Sequence, residues 1–582
     1  MVDQVYVWGL VAALLAPLLG GLAALWRPGA SVVGAVGAWT GSAVLLHGAL
    51  AGAQMHQSLG PWMDVGGLVI GLNLRVDLSA AVFLLGAHSL GLAAQLFAVD
   101  YLRAKAARTL RLASAVSAAT ALLLCADNYP LLLVGWALLG AGFHLRAGAD
   151  YTAGQHVARI WTALCVGDML LWVAVVALCA GGQIDWRGSE GISQWIGWCL
   201  LLAGASRAAQ YPAHFWLTQV RDVGALLQAF AVGAGGIYLL LRTGSAWATN
   251  STLAYVAVGC GVLTAVSCTN AALVTRDIRA ILAYAMAGQM GLVLAAMALG
   301  GGGGVALHLA VAGLGFALCL VGTAYLAQGE GATWDVVALG RWRKLLPLPY
   351  RAAVLGALTL AGCPPLAGAW SYGALLAGLF AAGGPVLWAL GCLLVCAVSL
   401  GPLRVVFMLA VAEAGHRPQA FRAPGAAAQT ALVGLGLLAL AAGALGYPPG
   451  TGYLAAGALR WELLAGPGLA GLAGLLIAWL VYGDQDAAAG QKAGAWGRIA
   501  AAGFYGERLL VALIGRPVLA LARLVRDIDA LVCELAVGAV AATGFKGAGW
   551  ILGHLQSGQL RFYAALAVLV LVSALAYMAA TV

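Results

Sequence analysis

Long runs of apolar residues dominate the chain, and short polar connections separate them. The runs are rich in Ala, Leu and Gly and do not alternate between apolar and polar positions, so they predict helices and not strands. Most have the roughly 17 to 25 residues that cross about 30 Å of hydrocarbon. About sixteen spans are predicted, at 6–26, 31–51, 77–98, 112–125, 128–145, 158–180, 194–217, 223–241, 253–273, 280–299, 304–327, 351–382, 384–411, 427–446, 467–483 and 561–581.

Prolines interrupt two of these spans near their middles. The seventh contains Pro212, and the twelfth contains Pro364 and Pro365 in the stretch "GCPPLAG". Proline breaks a helix, and lipid cannot satisfy the freed backbone groups, so broken helices must face protein or a water-filled cavity. Because the breaks are five spans apart, they indicate an internal repeat around an ion path at mid-membrane.

These patterns predict an all-α polytopic membrane protein with two five-helix inverted repeats and a long lateral amphipathic C-terminal helix. The lateral segment carries charges every few residues, so it is too charged to span the membrane and should lie along its surface or along other subunits. The predicted parts are three N-terminal helices (1–110), the first repeat with helices four to eight (111–245), the second repeat with helices nine to thirteen (250–412), helices fourteen and fifteen (425–485), the lateral helix (505–550) and a final span (561–582).

Composition and charge limit the classes of function that fit this sequence. The chain is 63% hydrophobic and 9% charged, with a formal net charge of +9. The positive charge does not indicate nucleic-acid binding, because the basic residues concentrate in alternate loops such as "YLRAKAARTLRL" and "GRWRKLLPLPYR" (340–351). This asymmetry predicts both termini outside a bacterial-type inner membrane. The eleven cysteines have no metal-ligand spacing, and no nucleotide, quinone or redox site is identified, so no cofactor or metal is predicted.

Several stretches resemble the antiporter-like subunits of respiratory complex I. "TRDIRAILAYAMAGQMGLVL" is similar to their tenth helix, and "RVDLSAAVFLLG", "DNYPLLLVGWALLG" and "CVGDMLL" to their third, fifth and sixth. "AAQYPAHFWL" and "LAGCPPLAGAWSYGALL" resemble their broken seventh and twelfth helices. The lateral segment ending "LQSGQLRFYA" is similar to the subunit L type in NADH-quinone oxidoreductase. The resemblance covers nearly the whole chain, and the order and spacing of the motifs make it specific.

The resemblance implies a row of buried proton-carrying groups across the membrane centre, and this chain departs from that row. The aspartate of helix six is kept as Asp168 and a histidine of helix eleven as His308. The other positions are replaced: glutamate by Ala137, lysines by Arg207, Phe316 and Tyr372, and histidines by Gln228 and Ala312. Alanine and phenylalanine hold no proton, glutamine does not titrate, and arginine remains protonated. We therefore expect no complete proton path.

The remaining ionisable groups have alternative interpretations. Arg207 and Asp168 lie near the middles of their spans, where an ion pair is favoured over snorkelling to an interface. For His308 a core hydrogen bond to a carbonyl and a remnant of a proton relay both stay open. Tyr372 could pack or supply a hydroxyl to a water chain.

The sequence thus indicates a membrane subunit of an NADH-quinone oxidoreductase-like, proton-translocating complex. A structural and coupling role is expected, since the ionisable row is degenerate. The partners would be other membrane subunits, contacted through the lateral helix, and the lipid bilayer. Membrane hydrogenases, cation/proton antiporters and inorganic-carbon uptake complexes contain homologous subunits and remain alternatives. The chain would belong to an enzyme only as a non-catalytic subunit.

Overall fold

The computed structural model describes residues 2–102, 106–148, 154–185, 192–327, 333–339, 346–411, 423–442, 461–483, 494–533, 538–555, 558 and 560–581. Part of the predicted inner loop, residues 340–345, lies outside this set, as does 534–537 within the predicted lateral helix. Two compact units are present, Met1–Leu510 and Val511–Val582. Each is described by itself.

The N-terminal part of the first unit is a series of apolar helices. They are α1 (Val2–Ala23), α2 (Ala30–Leu50), α3 (Leu78–Tyr101), α4 (Ala106–Cys125), α5 (Tyr129–Ala147) and α6 (Gly154–Ala180). Asp77 and Asn128 fix the starts of α3 and α5, since each side chain accepts a hydrogen bond from a backbone N–H of the first turn.

A β-hairpin between α2 and α3 was not predicted. Strands β1 (Met55–Val65) and β2 (Leu68–Val76) pair antiparallel, with Val65 opposite Leu68. Gly66 and Gly67 form the turn with φ of 63° and 89°, which suits the two-residue hairpin turns that need positive φ. The Gly-Gly pair between apolar stretches was the sequence signal for this hairpin.

The centre of the first unit contains both interrupted helices. The elements are α7 (Gln194–Arg207), α8 (Phe215–Thr218), α9 (Val223–Arg242), α10 (Gly244–Trp247), α11 (Ser251–Val274), α12 (Ile278–Ala298), α13 (Val305–Leu326), α14 (Pro347–Ala361) and α15 (Ala367–Val411). Helices α9, α12 and α13 are buried along nearly all of their length, so they form the core of the bundle. The breaks at Pro212 and at Pro364–Pro365 occur where the sequence predicts them.

The first unit ends with α16 (Ala426–Ala441), α17 (Trp461–Tyr482), α18 (Ala495–Ala501) and α19 (Gly506–Leu510). The second unit begins with a π-helical turn, Val511–Gly515, and contains α20 (Arg516–Val532), α21 (Ala539–Leu555) and α22 (Leu560–Thr581). Helix α20 has apolar and charged faces, as the predicted lateral helix requires.

The chain is a polytopic, mostly helical membrane protein. In the part of the chain that the structure describes, twelve helices are long and apolar enough to cross a membrane. Helix α15 counts once among them although Gly383 and Gly384 interrupt it. Helices α7, α14 and α16, of 14, 15 and 16 residues, are too short for that count. The number sixteen, the division into repeats and the proposed domain boundaries therefore stay predictions.

Candidate functional site

The first break exposes backbone groups that a neighbouring helix satisfies. Helix α7 ends at Arg207, Ala209 has a φ of 54°, and the Tyr211–Pro212 peptide bond is cis. The Tyr211 N–H donates to Oγ1 of Thr264 on α11 at 2.9 Å, and the Tyr211 carbonyl accepts from Sγ of Cys260 at 3.4 Å. The break therefore faces protein at this point, as the cost of unsatisfied backbone groups in lipid demands.

The predicted ion pair between Arg207 and Asp168 is present. Nη2 of Arg207 donates to Oδ1 of Asp168 at 2.8 Å, and Nη1 donates to the Trp136 carbonyl at 3.0 Å. The side chain of Arg207 is 1% exposed and that of Asp168 is 26% exposed. The cation is therefore fully buried, while the carboxylate lies at the perimeter of the bundle.

Trp136 on α5 holds both members of this pair. Its indole Nε1 donates to Oδ1 of Asp168 at 2.6 Å, and the Arg207 guanidinium carbon lies 3.6 Å from the centroid of its ring. A cation over an aromatic face in a desolvated site is attracted by the ring quadrupole. Three helices, α5, α6 and α7, thus enclose the guanidinium in a fixed geometry.

Gly140, one turn beyond Trp136, allows α5 to approach this pair. A Cβ at Gly140 would lie 3.0 Å from Nη2 of Arg207. Ala137, where the resemblance leads us to expect a glutamate, is exposed on the outer face of α5. Alanine has no carboxylate that could pair with Arg207. The acidic partner that Arg207 contacts is Asp168.

The second break carries a buried cluster of neutral polar side chains. Nε2 of His308 lies 3.2 Å from Oε1 of Gln289, and Nδ1 lies 3.2 Å from the Ser371 hydroxyl. The Tyr372 hydroxyl lies 2.8 Å from Oε1 of Gln289 and 2.8 Å from the Leu360 carbonyl oxygen. Because an amide oxygen can only accept, Nε2 of His308 donates to Oε1 of Gln289. The one proton of the Ser371 hydroxyl faces two acceptors, Nδ1 of His308 and the Gly368 carbonyl oxygen at 3.0 Å. An imidazole protonated on Nε2 alone is compatible with these contacts.

The contacts of this cluster bear on the alternative roles of His308 and Tyr372. His308 bonds to two side chains and not to a backbone carbonyl, and its ring centroid lies 4.4 Å from that of Tyr372. Tyr372 both packs and donates a hydrogen bond. Whether either group moves a proton stays a prediction.

The positions on α9 and α13 at which the resemblance leads us to expect titratable side chains are packed or hydrogen-bonded. Gln228 is buried and its amide donates to the Ala113 carbonyl at 3.0 Å. Phe316 lies against Phe230, with ring centroids 5.8 Å apart, and Ala312 is buried on the same helix. None of these side chains can bind and release a proton near neutral pH.

Comparison with known proteins agrees with this arrangement. The family described as "NADH:quinone oxidoreductase/Mrp antiporter, TM" matches residues 167–397, a range that contains Asp168 and both breaks. Subunit L of NADH-quinone oxidoreductase from Escherichia coli is 27% identical over 542 residues, which are 88% of this chain and 87% of that protein. The chain is homologous to antiporter-like membrane subunits of the subunit L type. Subunit L from Mycobacterium tuberculosis is 28% identical over 360 residues, 57% of this chain and 55% of that protein.

Solved structures share the fold of this antiporter-like subunit. Respiratory complex I from Thermus thermophilus with bound NADH contains a chain that matches 80% of this one with a TM-score of 0.64 and 18% identity, over 99% of its own length. The Mrp complex from Dietzia sp. matches 94% with a TM-score of 0.67 and 18% identity, over 63% of its chain. An archaeal membrane-bound sulfane sulfur reductase matches 98% with a TM-score of 0.67 and 19% identity, over 100% of its chain. The neighbours are subunits of multisubunit membrane complexes.

Three residues of the antiporter-like subunit's candidate site were missed by sequence reasoning. Trp136, Gln289 and Ser371 supply most of the hydrogen bonds around Arg207 and His308. Gln289 could have been found as a polar residue within an apolar run, "AMAGQMGLVL". Trp136 gave no comparable signal, since tryptophan is common in membrane helices.

An ionic cluster lies at the start of α12, outside the membrane span. Asp277 caps the helix by accepting from the Arg279 N–H, and its carboxylate accepts from Nη2 of Arg279 at 2.8 Å and Nη1 of Arg221 at 2.9 Å. Burial alone would raise the pKa of Asp277, but the hydrogen bonds and charges of the two arginines outweigh it and lower that pKa. The carboxylate is therefore charged near neutral pH and ties α12 to the loop before α9.

The segment that leads to α19 packs on the first break. The Tyr211 hydroxyl donates to the Phe504 carbonyl at 3.1 Å. A Cβ at Gly506 would lie 2.9 Å from Cε1 of the buried His214, so only glycine allows this approach. Arg159 on α6 pairs with Glu507 at 3.2 Å. The start of the predicted lateral segment is thus anchored beside Pro212.

Proposed function

We propose that this chain is the subunit L-type membrane component of a multisubunit, ion-translocating respiratory complex related to NADH-quinone oxidoreductase. In this proposal it acts as a structural and coupling subunit and does not complete a proton path of its own. The homology over 88% of the chain supports the first part. The second part rests on the ionisable groups of the site.

The geometry of Arg207 is the observation that carries the proposal. A lysine at this position could lose its proton when its partner moves or water leaves, but a guanidinium does not. Arg207 is held by Asp168, by the Trp136 carbonyl and by the Trp136 ring. A cation with fixed charge and three fixed contacts supports a bracing role at the break of α7–α8.

The second break supports the same proposal. His308, Gln289, Ser371 and Tyr372 satisfy one another without a formal charge, and all four are buried. A proton-transfer chain needs groups that exchange protons at short intervals, and Phe316 occupies one of those stations with an apolar ring. Apolar walls also offer water no hydrogen-bond partners, which favours a dry interior.

Asp168 supports membership of a complex. It lies at the middle of the span His156–Ala180, and its side chain is 26% exposed on the chain by itself. Lipid tails cannot solvate a carboxylate, and intramembrane charges usually face a protein partner or a cavity. We propose that a neighbouring membrane subunit covers this edge of α6, close to Ala137.

The placement of the lateral segment and of the termini completes the proposal. Helix α20 would contact neighbouring subunits along the inner membrane surface, since its apolar face needs a partner and its arginines do not tolerate the hydrocarbon. The positive charge of the alternate loops supports a proposed orientation with both chain termini on the outer side of a bacterial-type inner membrane. Cysteine labelling of residues near Gln4 and in the loop before α12, with a membrane-impermeant reagent, tests the orientation.

The test of the functional proposal is proton stoichiometry. The intact complex is reconstituted in vesicles, and protons moved per electron pair are measured for the natural sequence, His308→Ala and Asp168→Asn. We expect unchanged stoichiometry in both variants. If either variant lowers it while assembly and electron transfer stay intact, the subunit conducts and the proposal is wrong.

The type of complex is tested separately. Purification of the intact assembly and identification of its subunits distinguishes quinone-reductase partners from hydrogenase, antiporter or inorganic-carbon uptake partners. The lateral segment, which reaches α20 and α21, favours the quinone-reductase type. Recovery of the chain with hydrogenase subunits would replace that assignment. It would not change the proposed role of Arg207 as a fixed cation that braces the break of α7–α8.

A further inference from the structure

An apolar cavity of about 170 Å³ lies between α2, α3, α13 and α16. It is separate from the two breaks and from the hydrogen-bonded cluster around His308. Residues of all four helices contribute side chains to its wall, among them Leu46, Val82, Val311, Leu314 and Leu438.

The wall offers almost nothing to a polar ligand. Among the described residues that line the cavity, Ser89 carries the polar side chain. Its hydroxyl already donates to the Leu85 carbonyl at 2.7 Å and accepts from Nε1 of Trp39 at 3.0 Å. A water molecule needs two to four polar partners to stay in a cavity, so water is not the ligand that fits here.

The cavity reaches the outside of the chain at hydrocarbon depth. Ala441 on its rim is exposed, and Gly86 and Ala310 on facing helices are half-buried. Gly86 and Ser89 lie within the span Leu78–Tyr101, away from both of its ends. The molecules available to an apolar opening at this depth are lipid acyl chains.

We propose that this cavity binds the tail of one membrane-lipid acyl chain. Its volume compares with that of an apolar cavity of about 150 Å³ that stays dry and takes up benzene, so several methylene groups can enter. An inserted chain would contact Leu307 and Val311 on α13, which also pack against Ala367 and Ala374 of α15. The bound lipid would fill the gap between α16 and the α3–α13 pair. This inference requires only the membrane location, and it does not depend on the proposed function.

Photo-crosslinking tests the proposal in the intact complex. Membranes that contain the complex are supplied with phosphatidylethanolamine whose acyl chain carries a diazirine, irradiated, and mapped by peptide mass spectrometry. We expect adducts in 82–89 and 307–314, at a yield above that on Leu469 and Leu476, which are exposed on α17 and serve as the bulk-lipid reference.

Cavity-filling variants decide between a specific site and general lipid contact. Ala442→Phe should abolish the adducts in 307–314, while Leu440→Phe, on the exposed side of the same helix, should leave them unchanged. Ala310→Val provides a second filling variant if Ala442→Phe does not assemble. Adducts no stronger than the α17 reference, or adducts that persist in both filling variants, would overturn the proposal. So would labelling of the isolated chain that disappears in the complex, because another subunit would then occupy the cavity.

Discussion

The substitution Arg207→Leu separates the contribution of the ion pair from that of packing. Leucine removes the charge, the hydrogen bonds to Asp168 and the Trp136 carbonyl, and the contact of the guanidinium with the Trp136 ring. It leaves the Asp168 carboxylate near mid-membrane with the Trp136 indole as its remaining hydrogen-bond donor among the described residues. The variant should therefore be much less stable than the natural sequence.

The expected loss follows from the burial of the two partners. Removing one member of a buried ion pair costs about 3–5 kcal/mol, because the other charge stays uncompensated. Asp168 is 26% exposed and can recover part of its solvation at the perimeter. We therefore expect a loss at the lower end of this range, about 3 kcal/mol in the free energy of unfolding. The double variant Arg207→Leu/Asp168→Leu removes both charges of the pair, and its stability should return to within about 1–2 kcal/mol of the natural sequence.

Unfolding of the purified chain in mixed micelles, followed by circular dichroism as SDS is added, measures these differences. Arg27→Leu is the matched control, since Arg27 is exposed, and should be nearly neutral. The coupling between the two positions is the difference between the double variant and the sum of the singles. If the losses of the two single variants add in the double variant, the pair contributes nothing as a pair and the reasoning is refuted.

Three further predictions follow from individual contacts. Asp277→Asn keeps a helix cap but removes a carboxylate whose pKa is lowered, so the natural sequence should be more stable above about pH 4, and its advantage should shrink as pH falls through the lowered pKa. Unfolding between acid and neutral pH measures this. Tyr372→Phe removes a buried donor and should cost about 1–3 kcal/mol by SDS unfolding. Gly368→Ala should prevent correct folding at the second break, because its Cβ would overlap the Thr359 carbonyl oxygen, and size-exclusion profiles would reveal it.

A difference between Asp277→Asn and the natural sequence that does not change with pH would contradict the assigned ionisation. If Tyr372→Phe left the free energy of unfolding unchanged, the hydrogen bond from the Tyr372 hydroxyl to Gln289 would not stabilise the fold. Gly303→Ala is the control for Gly368→Ala, since no atom lies within 4 Å of a Cβ at Gly303, and the two variants behaving alike would remove the steric argument.

The breaks and most helix positions could be predicted from sequence because their causes are local. A run of apolar residues long enough to cross hydrocarbon must be helical, and Pro212 and Pro364 interrupt any helix that contains them. The same holds for the short helix α14, which is the first half of the predicted broken twelfth span. It also holds for the kink of α15 at Gly383 and Gly384, which separates the predicted spans 351–382 and 384–411. The hairpin at Gly66–Gly67, with strands of 11 and 9 residues, was missed because it lies between two strong apolar signals.

The partners of the buried groups depended on tertiary structure. Asp168 and Arg207 were matched correctly, since two opposite charges at mid-membrane have few alternatives. Trp136, which contacts both, was missed, because nothing in the sequence tells which face of α5 points inward at that depth. Gln289 and Ser371 lie 19 and 63 residues from His308 along the chain, and only the packing of α12, α13 and α15 brings them together.

The sequence by itself determined the membrane class, the two breaks and the pairing of the central charges, because composition and the cost of burying charge act on any fold. Only the tertiary structure decided that Arg207 is buried while Asp168 reaches the perimeter, that His308 belongs to a neutral network, and that an apolar cavity opens beside α16. Those outcomes depend on which helix faces meet, and such contacts are formed between residues far apart in sequence.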